Sequence, residues 1–284
     1  MWSLFGIFII APSAMATSPA AFNLETMITI DGQLVSDSEI LSQAFEDLSM
    51  DLSSIVAAPL HFPAKTLGAN GFDVAIGSSF AIIPESKEDE ISHWERATGT
   101  SGYNTVLYAP SVTARKGLPL SMEIGTTASW FGGGSTGTFG GFFRVAAVEG
   151  YKPWPDLTFH IGYNGLVGHP ELELGVMTTG VTLGSSYPFG SVSGIRQGQV
   201  SPWLDFAFIH HFTQVRLGND TKEALFGPQL DRTLEDTRGK TKTYFTPRVS
   251  GGIQITNGTI LFRLAGAWAP RTVPSLHASM GFSY

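Results

Sequence analysis

The chain ends on SLHASMGFSY, and every second residue of that stretch is apolar. Leu276, Ala278, Met280, Phe282 and Tyr284 alternate with Ser275, His277, Ser279, Gly281 and Ser283. A period of two sends neighbouring side chains to opposite faces of an extended strand, so this pattern belongs to a sheet and not to a helix. It recurs. In 118–130, Leu118, Leu120, Met122, Ile124, Ala128 and Trp130 oppose Pro119, Ser121, Glu123, Gly125, Thr127 and Ser129. In 156–164, Leu157, Phe159, Ile161 and Tyr163 oppose Asp156, Thr158, His160, Gly162 and Asn164. The runs at 72–82 and 242–255 repeat the arrangement. Several reach ten residues, whereas strands of globular proteins average ~5–6.

Long alternating strands suit two architectures. A soluble sandwich turns its apolar face inward and covers the other with charge. A membrane barrel turns its apolar face to lipid and its polar face to the lumen. Composition decides between them. Of 284 residues only 14% are charged, against ~25% for soluble domains. The polar faces carry Gly, Ser, Thr and a few charges of both signs, not the Lys and Glu of a wetted surface. A crossing strand needs ~9–11 residues, and closure removes the sheet edges that lipid cannot satisfy. The reading is an all-β, transmembrane, antiparallel up-and-down β-barrel of about ten strands, with twelve an alternative. Candidate strands lie near 72–82, 104–115, 118–131, 138–148, 156–165, 170–183, 199–210, 242–255, 259–269 and 274–284. The sixth changes phase near Met177–Gly180, which predicts a bulge there. KGLP and Asn257-Gly258 supply turns, and 184–198 is long for one.

The N-terminus reads differently. LFGIFIIAPSAMA is a short apolar run closed by an Ala-x-Ala site, so 1–16 reads as a secretory signal peptide. No later run of ~18 apolar residues would make a membrane helix. Residues 17–67 form a periplasmic or plug segment, and 68–284 the barrel. Within the segment, Ile40, Leu41, Phe45, Leu48, Leu52, Ile55 and Val56 recur at helical spacing, a short amphipathic helix over 38–56 with Ser36 or Asp37 as cap.

The terminal Tyr284, with Phe282 two residues before it, resembles the C-terminal signal of Gram-negative outer-membrane barrels. That resemblance implies the barrel-assembly machinery as a partner, outer-membrane lipid as the surroundings and the bacterial outer membrane as the location. The order of a helix, then PAKTLGANGFDVAIG, then ARKGLPLSMEIG resembles an uncharacterised family of such barrels. In layout it is distantly similar to the long-chain fatty-acid transport barrels, whose N-terminal hatch precedes the first strand.

Candidate sites follow from the faces. Asp73, Arg115, Glu123, Arg144, His160, Asp205, Arg248, Arg263 and His277 fall at lumen positions, because charge in a membrane wall must face water or a partner. They would line a solute path or cross-link the lumen. His277 and Ser279 share that face, and a Ser–His pair is the minimum for attack on an ester; Glu123, Asp73 and Asp205 are candidate third partners. Gly132–Gly137 matches G-x-G-x-x-G, yet a strand and not a helix follows, so nucleotide binding is not expected. His210 and His211 are strand neighbours and point apart. Glu85, Asp89, Glu90 and Glu95 with His93 read as a charged outer loop. No cofactor or metal is implied; a net charge of −7 gives no nucleic-acid footprint, and the absence of cysteine removes disulfide and zinc–cysteine scaffolds. Three functions remain: a narrow channel or transporter for small solutes, hydrophobic ones included; a lipid hydrolase using His277 and Ser279; and a structural or surface-binding barrel using loops 83–103 and 211–241.

Overall fold

The computed structural model describes residues 22–24, 26–30, 33–34, 38–57, 61–83, 91–99, 105–151, 154–192, 195–216 and 244–284. The signal peptide, the helix cap at Ser36 or Asp37, Glu85, Asp89, Glu90 and most of loop 211–241 lie outside them.

Ten long strands form the wall: β1 (Phe72–Ile82), β2 (Val106–Leu118), β3 (Met122–Trp130), β4 (Gly137–Val148), β5 (Asp156–Val167), β6 (Leu172–Gly184), β7 (Ile195–Val215), β8 (Tyr244–Asn257), β9 (Ile260–Trp268) and β10 (Ser275–Ser283). Each pairs antiparallel with its sequence neighbours. β10 then pairs with β1 from Ser275↔Ala81 to Ser283↔Asp73, which closes the barrel. The outer face carries Ile76, Phe80, Ile124, Phe139, Phe143, Phe159, Ile161, Phe206, Phe208, Phe262, Leu264 and Met280, all exposed. A closed antiparallel wall with an apolar exterior is an outer-membrane barrel, because lipid tolerates neither an open edge nor a polar outer face. The protein is located in the bacterial outer membrane.

Two turn predictions need correcting. KGL continues β2, and the turn falls at Pro119–Ser121, where Leu120 and Ser121 take φ of 64° and 54°. The long 184–198 segment does not add two wall strands. Tyr187–Val192 pairs back on the start of β7, making a hairpin that stands off the barrel end. By contrast, Gly258 at φ 59° opens the tight β8–β9 turn, where only glycine enters that conformation without strain.

The expected bulge in β6 is absent. Its register with β5 and β7 is continuous, and the irregularity lies in β4 between Ala146 and Val148. The physical reason is the partner of its inner face. Leu172, Leu174 and Val176 point inward and are buried, as do Thr178 and Thr182 further along the same face. The face switches from apolar to polar without changing side.

What those apolar residues meet is helix α1 (Ser38–Ala57). Leu48, Leu52, Ile55 and Val56 form one core with Ala81, Ile83, Leu107, Ala109, Phe131, Leu172, Leu174, Val176, Ile209 and Val273. These wall residues sit at the ends of strands that carry the longer loops, the outer end by the usual asymmetry of such barrels. The helix therefore occupies the outer half of the lumen. Among the described residues no helix is long and apolar enough to cross a membrane.

Candidate functional site: the lumen

Below α1, residues 61–67 run through the inner half of the lumen. At the helix C-terminus the Arg248 guanidinium donates to the Ala57 carbonyl, 2.8 Å away, a cation on the negative end of the helix. Arg144 Nη2 donates to the Pro63 carbonyl and Thr158 Oγ1 to that of Ala64. Thr66 donates through its backbone N–H and its hydroxyl to Glu149, at 3.2 and 2.8 Å. The segment leaves past Gly117, where a Cβ would stand 1.7 Å from the Gly68 carbonyl oxygen, so only glycine allows the passage.

The wall residues around this segment form two networks. In the first, Arg115 pairs with Asp73 and, at 3.1 Å, with Glu123. Arg144 reaches the same Glu123 oxygen at 3.1 Å, and Arg263 reaches Asp73 at 3.3 Å and Gln254 Oε1 at 2.8 Å. Asp73↔Arg115, Glu123↔Arg144 and Gln254↔Arg263 are direct cross-strand neighbours, which is why parity alone can bring opposite charges together. In the second network Asp205 accepts from His160 at 2.8 Å, Thr182 at 2.8 Å and Ser250 at 3.3 Å. His277 Nδ1 and the Ser79 hydroxyl, 3.0 Å apart, join β10 to β1. Every wall strand thus contributes a polar side chain to a girdle around the lumen.

All nine lumen candidates lie inside, and eight of them are buried, His160 being half-buried. Phe62 is the residue that parity could not supply. Its ring lies 4.4 Å from the Arg115 guanidinium, 4.8 Å from that of Arg263 and 5.6 Å from that of Arg144, and 4.9 Å from the Phe142 ring. Three desolvated cations on one aromatic ring hold the segment at its centre. A lone Phe before Pro63 gave no periodic signal; only its lodging in the girdle reveals it.

The ester-attack arrangement does not form. His277 engages Ser79 and not Ser279, and among the described residues no carboxylate pairs with it. Glu123, Asp73 and Asp205 are each committed to the networks above. His210 and His211 do point apart: His211 is buried inward, while His210 meets the Phe245 ring edge-on. Gly132–Gly137 forms the β3–β4 connection and the first residue of β4. Among the described residues no cluster of ligands fit for a metal exists.

The outer mouth is tied to α1. Helix α2 (His93–Thr98) starts at Ser92, whose hydroxyl accepts from the Glu95 N–H, and ends on Gly99 in the left-handed region. Asp51 of α1, itself buried, accepts from His93 Nε2 at 2.7 Å, Trp94 Nε1 at 2.8 Å and the Val273 N–H at 2.9 Å. His93, expected in a charged loop, is thus a structural tie. Phe22 stacks on His169 of the β5–β6 loop, ring centres 4.2 Å apart, and meets Trp94 edge-on. His169 Nε2 donates to the Phe22 carbonyl while Nδ1 accepts from the Leu172 N–H at 3.1 Å. Burial holds the imidazole below the usual histidine range, against the opposing effect of the Phe22 bond. The described parts of residues 22–71 thus lie at the outer mouth (Phe22 and the start of the chain that follows it), in the outer half of the lumen (α1) and, over 61–71, from the inner half to the inner mouth.

No protein-family model matches the chain, and no curated protein is similar to it in sequence. Among solved structures it is similar to the translocator domain of the autotransporter NalP from Neisseria meningitidis, at 10% identity and a TM-score of 0.35 over 86% of this chain and 96% of that one. It is also similar to Omp33 of Acinetobacter baumannii, at 10% identity and TM-score 0.29 over 76% and 98%. Ail of Yersinia pestis, solved with the heparin analogue sucrose octasulfate, gives 7% identity and TM-score 0.27 over 76% and 99%. The barrel assignment stands on the closed pairing and apolar exterior described above.

Proposed function

We propose that this outer-membrane barrel is sealed in its resting state by its own residues 38–67, and that it acts as a structural or surface-binding barrel through its mouths rather than as an open channel. One observation carries the reading: among the described residues an apolar helix occupies the outer half of the lumen and a segment clamped in a charged girdle occupies the inner half. An open solute path needs a continuous wetted lining. Here the helix face is buried against Leu107, Leu174 and Ile209, and four guanidiniums are engaged with carboxylates, carbonyls or Phe62. A transporter reading requires the segment to leave, breaking these contacts together. The test is conductance in planar bilayers. The full mature protein is expected to be silent and a deletion of 22–67 to conduct. Steady solute-sized openings of the full protein would overturn the sealed reading and restore the channel.

A further inference from the structure

The contacts of the N-terminal stretch stand in order of depth. Phe22, Leu24 and Met27 are buried at the outer mouth. The Asn23 N–H and the Thr26 hydroxyl both donate to the Ala97 carbonyl of α2, at 2.8 and 2.7 Å. The Leu24 N–H donates to the Glu171 carboxylate of the β5–β6 loop at 2.6 Å. Asp47 of α1 pairs with Arg271 of the β9–β10 loop at 3.1 Å. Deeper in, Ala57 meets Arg248, Phe62 to Ala64 meet the girdle, and Gly68 passes Gly117. At the inner rim the Phe72 N–H donates to the Tyr284 carbonyl at 2.8 Å. The chain before α1 therefore lies on the outer side, and the chain after it leads to the inner one.

That polarity has a functional consequence. An outer-membrane barrel is assembled from the periplasmic side, so every residue found at the outer mouth has crossed the membrane. The outer loops cross between two wall strands. Residues 22–57 have a wall strand only on their C-terminal side among the described residues, since the short pair Thr29–Ile30 and Gln33–Leu34 bonds to itself. They cross through the lumen. Its lining suits a polypeptide: Arg248, Arg144 and Thr158 all donate to main-chain carbonyls, those of Ala57, Pro63 and Ala64. Every residue carries that acceptor, so these donors read backbone rather than one side chain. We propose that the barrel exports polypeptide: it carries its own N-terminal segment outward through the lumen and presents the chain that precedes Phe22 on the cell surface. The proposal shares the placement of α1 with the sealed-lumen reading. It concerns the crossing of the chain itself and not of solutes, and labelling rather than conductance decides it.

The sequence has no cysteine, so one introduced thiol is unique. Three full-length variants are treated, in intact and in permeabilised cells, with a maleimide on a polyethylene glycol too large to cross the outer membrane. The first carries a short flexible Gly-Ser stretch with one Cys, inserted between Ala21 and Phe22. The second is Asp220→Cys in the β7–β8 loop, and the third Leu120→Cys in the exposed β2–β3 turn at the inner end. The inserted thiol is expected to react in intact cells as fully as Asp220→Cys, whereas Leu120→Cys reacts only after permeabilisation. Different mobility of unboiled and boiled protein verifies that each variant is folded. An inserted thiol that behaves like Leu120→Cys overturns the proposal. So does one that reacts only after denaturation, because the segment then ends inside the lumen. An Asp220→Cys that is silent in intact cells inverts the barrel, and the proposal falls with it.

Discussion

Glu123 shares one oxygen between two guanidiniums, and no other carboxylate contacts Arg144 among the described residues. Removing that charge strands a buried cation, and breaking a buried pair from one side costs ~3–5 kcal/mol. Glu123→Gln is therefore expected to lower the urea midpoint of the barrel in lipid vesicles substantially. Replacing both partners, Glu123→Leu with Arg144→Met, should cost less than the single change. Equal losses would show that the ion pair is not what the girdle depends on. At the outer mouth the sensitive residue is His169. Its Nδ1 accepts backbone N–H groups, so the clasp needs the neutral ring. Its folded pKa lies below the usual value of about 6.5. The clasp's contribution is therefore complete above that value and is lost as pH falls below it towards the depressed folded pKa. Trp94 fluorescence and proteolysis near Phe22 should report release between mildly alkaline and mildly acid buffer. Because His93 and Glu171 also face this mouth, His169→Gln is the control: it should flatten the profile.

Among the elements, the strands were the most legible from sequence, because one period of two sets both faces. Ile124 is exposed on the lipid side, and Ile124→Arg is expected to cost ~2–4 kcal/mol if near the bilayer midplane. The matching lumen change is less benign than an open channel would make it. Thr127 is almost fully buried at 1% exposure, so Thr127→Arg must crowd a filled interior. Urea titration of both variants in vesicles should find both destabilised; a silent Thr127→Arg would mean that the lumen has room. Helix α1 was legible as an apolar stripe, but its burial site was not. Asp51 held the missing signal, an acid lying beside Leu48, Leu52 and Ile55. Such an acid needs partners, and they came from loops 42 and 222 residues away. The apparent bulge at Met177–Gly180 arose for the same reason. Leu172, Leu174 and Val176 read as lipid-facing until the helix they pack on is known. Sequence parity assigns a face, but it does not say whether that face meets water or another part of the chain.

At the scale of the whole molecule, the closed wall predicts a compact form that resists unfolding by detergent in the cold. Unboiled protein from outer-membrane fractions should migrate differently from boiled protein; identical mobility, with the protein in the soluble periplasm, would refute the barrel. The place of α1 and of residues 61–67 inside the ring has a consequence for assembly. The seam joins Ser275 to Ala81 and Ser283 to Asp73, partners separated by roughly 200 residues, the kind of contact that forms late. A ring sewn shut last can hold a thread only if the thread is already inside. Residues 61–67 must lie among the unjoined strands before the stitch is made, with Phe62 a nucleus on which Arg115, Arg144 and Arg263 gather. A barrel refolded without 22–67 and later offered that stretch as a separate peptide should stay hollow, whereas refolding the two together should fill it. The order of events, and not affinity alone, would then decide whether the finished pore is stoppered.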